Sequence, residues 1–135
     1  MKSKKQASAA CPCGGGELAA CCGRYLGSGA PPAPTAQALM RSRYSAYALG
    51  LEAYLLASWH PSTRPERLDL ADDAGVVKWI GLDVRRCEAG LEADVDGVVE
   101  FIARCKVGGK AERIHETSRF VREDGRWYYV SGVVA

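Results

Sequence analysis

The amino-acid sequence predicts an α+β fold, with N-terminal helices packed on a curved antiparallel sheet of four or five strands and a small cysteine-rich knuckle in front of them. Three observations carry this. Apolar residues recur at helical spacing from Ala36 to Leu51. From residue 76 the period changes to two and holds, between short glycine-containing turns, through the last residues. Four of the six cysteines, Cys11, Cys13, Cys21 and Cys22, fall within twelve residues, ahead of a Gly/Pro/Ala segment.

Residues 1–10 read as a disordered tail and residues 11–25 as the knuckle. The knuckle's pattern is Cys-x-Cys, seven intervening residues, then Cys-Cys. Such a density of thiols suits either a tetrahedral metal site or redox-active sulfur. Four thiolates around one zinc need two short ligand pairs and a connection that turns back. Gly14, Gly15 and Gly16 supply that turn, since glycine adopts positive φ and lets backbone approach sulfur. Disulfides fit less well, because adjacent cysteines bond each other only under strain. The favoured cofactor is therefore Zn2+, one per chain, on Cys11, Cys13, Cys21 and Cys22. Residues 26–34, LGSGAPPAP, read as a linker, and residues 35–135 as the main domain.

Thr35, directly after Pro34, is a good N-cap for the first main-domain helix. Ala36, Leu39, Met40, Tyr44, Tyr47 and Leu51 form its apolar face, with Ser42 and Ser45 roughly opposite. Gly50 predicts a break, Leu51 to Ser58 a second short helix, and Glu66 to Ala74 a third. Four strands follow. Val76–Cys87 places Ile80, Leu82 and Val84 on one face, and Leu91–Lys106 is long, with a bulge at Asp96-Gly97. Ala111–Arg122 puts Ile114, Glu116, Ser118 and Phe120 on one face and Arg113, His115, Thr117 and Arg119 on the other; Arg126–Val134 closes the set. Long twisted strands of this kind curl into a cone that helices can close.

Two residues break the pattern. Arg43 lies on the apolar face of its helix, and Glu116 on the apolar face of its strand. A buried charge needs a partner or a polar pocket, so the two are expected to pair directly, with Tyr47 beside them as a pocket candidate; otherwise the Arg43 stem packs while its head snorkels to solvent. His60, between Trp59 and Pro61, is the other pocket candidate. It serves either as an acid–base group or as a helix-end side chain bonded to backbone. No phosphate loop, dinucleotide fingerprint or paired-carboxylate motif is present.

Composition narrows the function classes. The net charge of +2 is uneven: residues 1–30 carry +3 and the remainder −1, so the main domain has no basic field for nucleic acid. No apolar run is long enough to span a membrane, and the basic N-terminus lacks the apolar centre of a signal peptide. A cytoplasmic protein, with no nucleic-acid or membrane partner, is the expectation.

CPCGGGELAACCG resembles the SEC-C zinc-knuckle motif, with seven residues between the cysteine pairs in place of the usual eight and Glu-Leu-Ala-Ala in place of a Lys/Tyr-rich centre. LMRSRYSAYALGLEAYLLASWHPSTRP, WIGL, HETSRF and GRWYYVSG are similar to the YchJ-like family of uncharacterised bacterial proteins. Together these cover about residues 11–134. The resemblance implies a cone-shaped nuclear transport factor 2-like main domain. It places the metal ligands at Cys11, Cys13, Cys21 and Cys22, suggests a protein partner for the knuckle, and leaves an unknown small ligand for the cone. Many relatives carry a second, C-terminal knuckle, which this sequence lacks. Isomerases, dehydratases and hydrolases share the cone, so an enzyme using Arg43 and Glu116 is the alternative reading. The oligomeric state is not written in these motifs.

Overall fold

The computed structural model describes residues 9–73 and 75–135. Residues 1–8 of the expected tail lie outside this range, whereas Ala9 and Ala10 belong to the knuckle: Leu18 N–H donates to the Ala9 carbonyl, and Ala10 bridges Glu17. A 3-10 turn, Leu18–Ala20, and a short helix α1, Gly23–Leu26, complete the knuckle.

Helix α2, Ala36–Leu49, starts where the cap predicts, with Thr35 Oγ1 accepting from Ala38 N–H at 3.0 Å. It ends at Gly50 in left-handed geometry (φ 74). Helix α3, Glu52–Ala57, follows. The third helix expected over 66–74 is reduced to a 3-10 turn, Leu70–Asp73, and Ala74 lies outside the described residues. Asp69, at φ 58, interrupts helical geometry there, and the Glu52 carboxylate takes the Leu68 and Leu70 N–H groups at 3.0 and 2.9 Å. These N–H donors hold the Glu52 carboxyl below its ordinary value of 4.5. A group lowered on folding contributes stability that is complete above that value and is lost as pH falls through the lower folded-state value. The Leu68 and Leu70 amide shifts are therefore expected to titrate together, with a midpoint below 4.5, and to stop titrating in Glu52→Gln.

Strands β1 (Val77–Ala89), β2 (Asp96–Val107), β3 (Lys110–Glu123) and β4 (Arg126–Val134) form one antiparallel sheet in the order β1-β2-β3-β4. The number of strands is four. Two details differ from expectation. Ile80 is exposed because register slips between Trp79 and Gly81, so Trp79, Leu82 and Val84 pack on the core instead. Leu91 to Val95 does not join β2; Leu91 and Val95 are exposed in a turn, and the register shifts lie in β1 and between β3 and β4 at Arg119/Phe120, not at Asp96-Gly97.

The concave face carries Val99, Phe101, Ala103 and Cys105 from β2, Ser118 and Phe120 from β3, and Trp127 from β4, all buried. Helix α2 lies across it. The start of α2 is tied down by Ala36 N–H to Gly90 C=O at 2.9 Å and by Trp127 Nε1–H to Pro34 C=O at 3.2 Å. Ser42 and Ser45, expected on the solvent side, are fully buried (0% exposed). The helix is covered on both sides, since α3 and the knuckle pack on its back. Ser42 Oγ donates to the Leu39 carbonyl and meets the Tyr54 hydroxyl at 2.6 Å. On the convex face His115 bonds Glu100 at 2.6 Å, and Arg86 bonds the same carboxylate at 3.1 Å.

Candidate functional site: a thiol cluster and the cone cavity

The four knuckle sulfurs lie within 4.8 Å of one another. Cys11 and Cys13 Sγ are 3.6 Å apart, and Cys13 and Cys21 Sγ 3.5 Å. All are free thiols. Gly15 is required at its position, because a Cβ there would sit 2.8 Å from Cys21 Sγ. Burial opposes the Cys11 thiolate, but the Ser45 hydroxyl at 3.4 Å and the Cys13 and Cys22 N–H groups outweigh it and bring the thiol down to about 6. Burial pushes Cys22 strongly the other way, and Cys21 also titrates high. Four adjacent thiolates repel one another unless a cation sits between them. A tetrahedral Zn–S bond of about 2.3 Å gives S–S edges of about 3.8 Å. The 3.6 and 3.5 Å separations lie close to that size and all four sulfurs lie within 4.8 Å, so Cys11, Cys13, Cys21 and Cys22 could hold a metal.

The knuckle is no separate appendage. Cys11, Cys13 and Cys22 are at most 4% exposed and share one apolar cluster with Leu39, Met40, Val99 and Phe120. Ser45 of α2 touches Cys11, and Arg41 Nη1 reaches the Cys13 carbonyl at 3.5 Å.

On its other side α2 roofs a cavity of about 290 Å3 between helix and sheet. Arg43, Tyr47 and Glu116 line it, with Trp79, Phe101 and Tyr129 among the walls. Arg43 is 4% exposed. Its Nη1 donates to the Leu55 carbonyl at 2.8 Å and to Ser58 Oγ at 2.7 Å, and its guanidinium lies 5.0 Å from the Trp59 ring and 4.6 Å from the Tyr129 ring. Burial pulls its pKa down, while Tyr47, Tyr129 and Glu116 act against that. Glu116 stands opposite Phe101 in the sheet register, and its Oε2 accepts from Ser118 Oγ at 2.7 Å and from the Tyr129 hydroxyl at 3.5 Å. Burial, then the Glu116 charge, push Tyr129 up to about 12.

The direct Arg43–Glu116 ion pair does not form. The two charges share a cavity instead, because the backbone carbonyl and hydroxyl at the end of α3 take Arg43 first. His60 is not part of this cavity. It sits at the rim of the molecule, with Nε2 2.9 Å from Glu123 and Nδ1 2.7 Å from Ser62, while its backbone N–H donates to the Tyr129 carbonyl. Sequence reasoning missed Tyr129 and Gly132. Gly132 has no side chain because a Cβ there would run into the Glu116 carboxylate. Gly132→Ala is expected to swing Glu116 off Ser118 at a cost below about 1.5 kcal/mol, since the displaced group is a flexible chain end; urea unfolding and the Glu116 side-chain carboxyl resonance test this.

The family model of the YchJ middle NTF2-like domain matches residues 35–132. The chain belongs to the YchJ family. It is 85% identical to a UPF0225 protein of Chromobacterium violaceum over 135 residues, the whole of both chains. It is 52% identical to a UPF0225 protein of Ralstonia nicotianae, covering 93% of this chain and 91% of that one. Among solved structures, a SEC-C motif containing protein from Rhodopseudomonas palustris matches with a TM-score of 0.80 at 33% identity, covering 94% of this chain and 99% of that one. A sec-c motif containing protein from Psychrobacter arcticus matches at 0.75 and 26%, covering 96% and 84%. The YchJ-type cone and the cysteine cluster thus stand together in one chain. Among the described residues, no helix is long and apolar enough to cross a membrane.

Proposed function

We propose that this YchJ-family chain is a cytoplasmic zinc-binding accessory protein. One Zn2+ on Cys11, Cys13, Cys21 and Cys22 fixes the knuckle against α2, and the cone cavity receives a small ligand. The observation that carries the metal reading is the set of four sulfurs within 4.8 Å of one another. With all four positions taken by cysteine, the zinc is structural: it neutralises the thiolates and crosslinks residues 11–22. The knuckle's outward rim, Gly14–Glu17 with Ala19 and Ala20, is exposed and is the surface we assign to a protein partner. Elemental analysis of the purified chain should give one zinc per chain with the four thiols shielded from a thiol reagent. A ratio near zero with all four reactive would discard the metal.

The enzyme alternative rests on Glu116 lining the half-open cavity beside Tyr129. With His60 outside the cavity, Glu116 would act there as the lone acid–base group, and fold likeness alone does not supply a reaction. Arg43 and Tyr47 are assigned to ligand binding.

A further inference from the structure

The charges inside the cone specify more than an unnamed ligand. Arg43 is a buried cation without an ion-pair partner among the described residues. Only its Nη1 has protein acceptors, so Nε–H and the Nη2 donors of the fork stay unused. Five donors in a fixed plane match a carboxylate bidentately. Glu116, in the same lining, uses Oε2 on Ser118 and Tyr129, which leaves Oε1 without a protein partner. The other lining groups are uncharged, with Met40, Trp79, Phe101 and Ile114 forming apolar walls.

The cavity is therefore electrically neutral only while both charges remain. A simple anion on Arg43 would leave one excess negative charge in a half-open cavity with apolar walls, and a simple cation on Glu116 one excess positive charge. Either is unfavourable beside the buried Arg43 and the apolar walls. A ligand bearing both signs keeps the balance. At about 30 Å3 per water-sized volume, the space of about 290 Å3 takes roughly 10 non-hydrogen atoms. Resting on the reading that the cone holds a small ligand, we propose that its occupant is a small zwitterion of the amino-acid type, its carboxylate on Arg43, its ammonium on Glu116 and its apolar side chain against Trp79, Phe101 and Ile114. Tyr47 and Tyr129 stand beside the charged ends, and Gly132 keeps Glu116 in place by leaving room for it.

The test follows the Trp79 indole resonance of the full chain during titration with L-phenylalanine, L-leucine, N-acetyl-L-phenylalanine, 2-phenylethylamine and toluene. The two amino acids should give saturable shifts. The acetylated acid and the amine, each lacking one charge, should bind at least about tenfold more weakly. Glu116→Gln should weaken L-phenylalanine about tenfold while leaving N-acetyl-L-phenylalanine unchanged or tighter. Gly132→Ala, which keeps the carboxylate but moves it, should reproduce the loss for L-phenylalanine. Binding of the amine or the acetylated acid as tight as that of L-phenylalanine overturns the zwitterion while leaving a ligand-binding cone. A response to toluene alone does the same. No response to any of the five overturns the zwitterion and the ligand-binding reading together.

Discussion

Cys13→Ser, or stripping of bound metal with a chelator, is expected to lower the unfolding transition of the entire chain, by at least about 3 kcal/mol. An appendage joined by a linker would melt by itself and leave the cone's transition in place. Here Cys13 is 2% exposed and belongs to the same apolar cluster as Leu39, Val99 and Phe120. Releasing the knuckle uncovers the back of α2, where Ser42 and Ser45 have no solvent-facing role, and breaks the Cys11–Ser45 contact. Apparent metal-binding energies of about 10–16 kcal/mol in isolated zinc-finger peptides leave ample room for an effect of this size. The check is chemical denaturation followed by tryptophan fluorescence, since Trp79 and Trp127 both report on the cone. One cooperative transition displaced to lower denaturant is the expected outcome. A separate early knuckle transition followed by an unshifted main one would show that docking adds nothing.

Arg43→Ala is expected to cost about 3 kcal/mol, and Arg43→Met clearly less. The guanidinium gives two hydrogen bonds to the C-terminal end of α3 and stacks on Trp59 and Tyr129. A desolvated cation–π contact alone is worth about 2 kcal/mol. Against this stands the desolvation of a charge that no carboxylate neutralises by contact, and removal of the arginine returns that energy. Alanine forfeits the contacts and also opens a void; methionine keeps most of the volume. Urea unfolding of the two variants separates these contributions. A loss below about 1 kcal/mol for Arg43→Ala would mean that the cation is held at nearly its full desolvation cost. Its reason for being there would then lie in what it binds.

Local signals in the sequence were legible where they rest on a single residue's chemistry. Thr35 capped its helix, Gly50 ended it, and the hairpin turns at Gly108-Gly109 and Asp124-Gly125 fell where positive φ was needed. The four cysteines came together because their spacing leaves few other closures. Arg43 and Glu116 were conspicuous as charged groups on apolar faces, with Tyr47 expected beside them, and the cavity holds all three. What escaped depends on which surfaces meet. Serine on a helix reads as solvent-facing, yet Ser42 and Ser45 are small enough to sit under α3 and the knuckle. Ile80 was assigned inward by alternation, but one slipped register position turns it out. His60 carries the chemistry of an active-site residue, and only the path of the chain after Trp59 places it beside Glu123, away from the cavity.

The long reach of the N-terminal contacts has a consequence in time. Trp127 holds the carbonyl of Pro34 across 93 residues, and the floor under Cys11, Cys13 and Cys22 includes Val99 and Phe120. At a synthesis rate of about 5–20 residues per second, the stretch from the knuckle to the last strand takes roughly 5–20 s to emerge. For that interval the thiols exist without the sheet that buries them. A metal ion captured early would fold the knuckle first and present α2 with one finished surface before the strands arrive to make the other. The chain's direction fixes the order of emergence: knuckle, α2, then the four strands that pack against them.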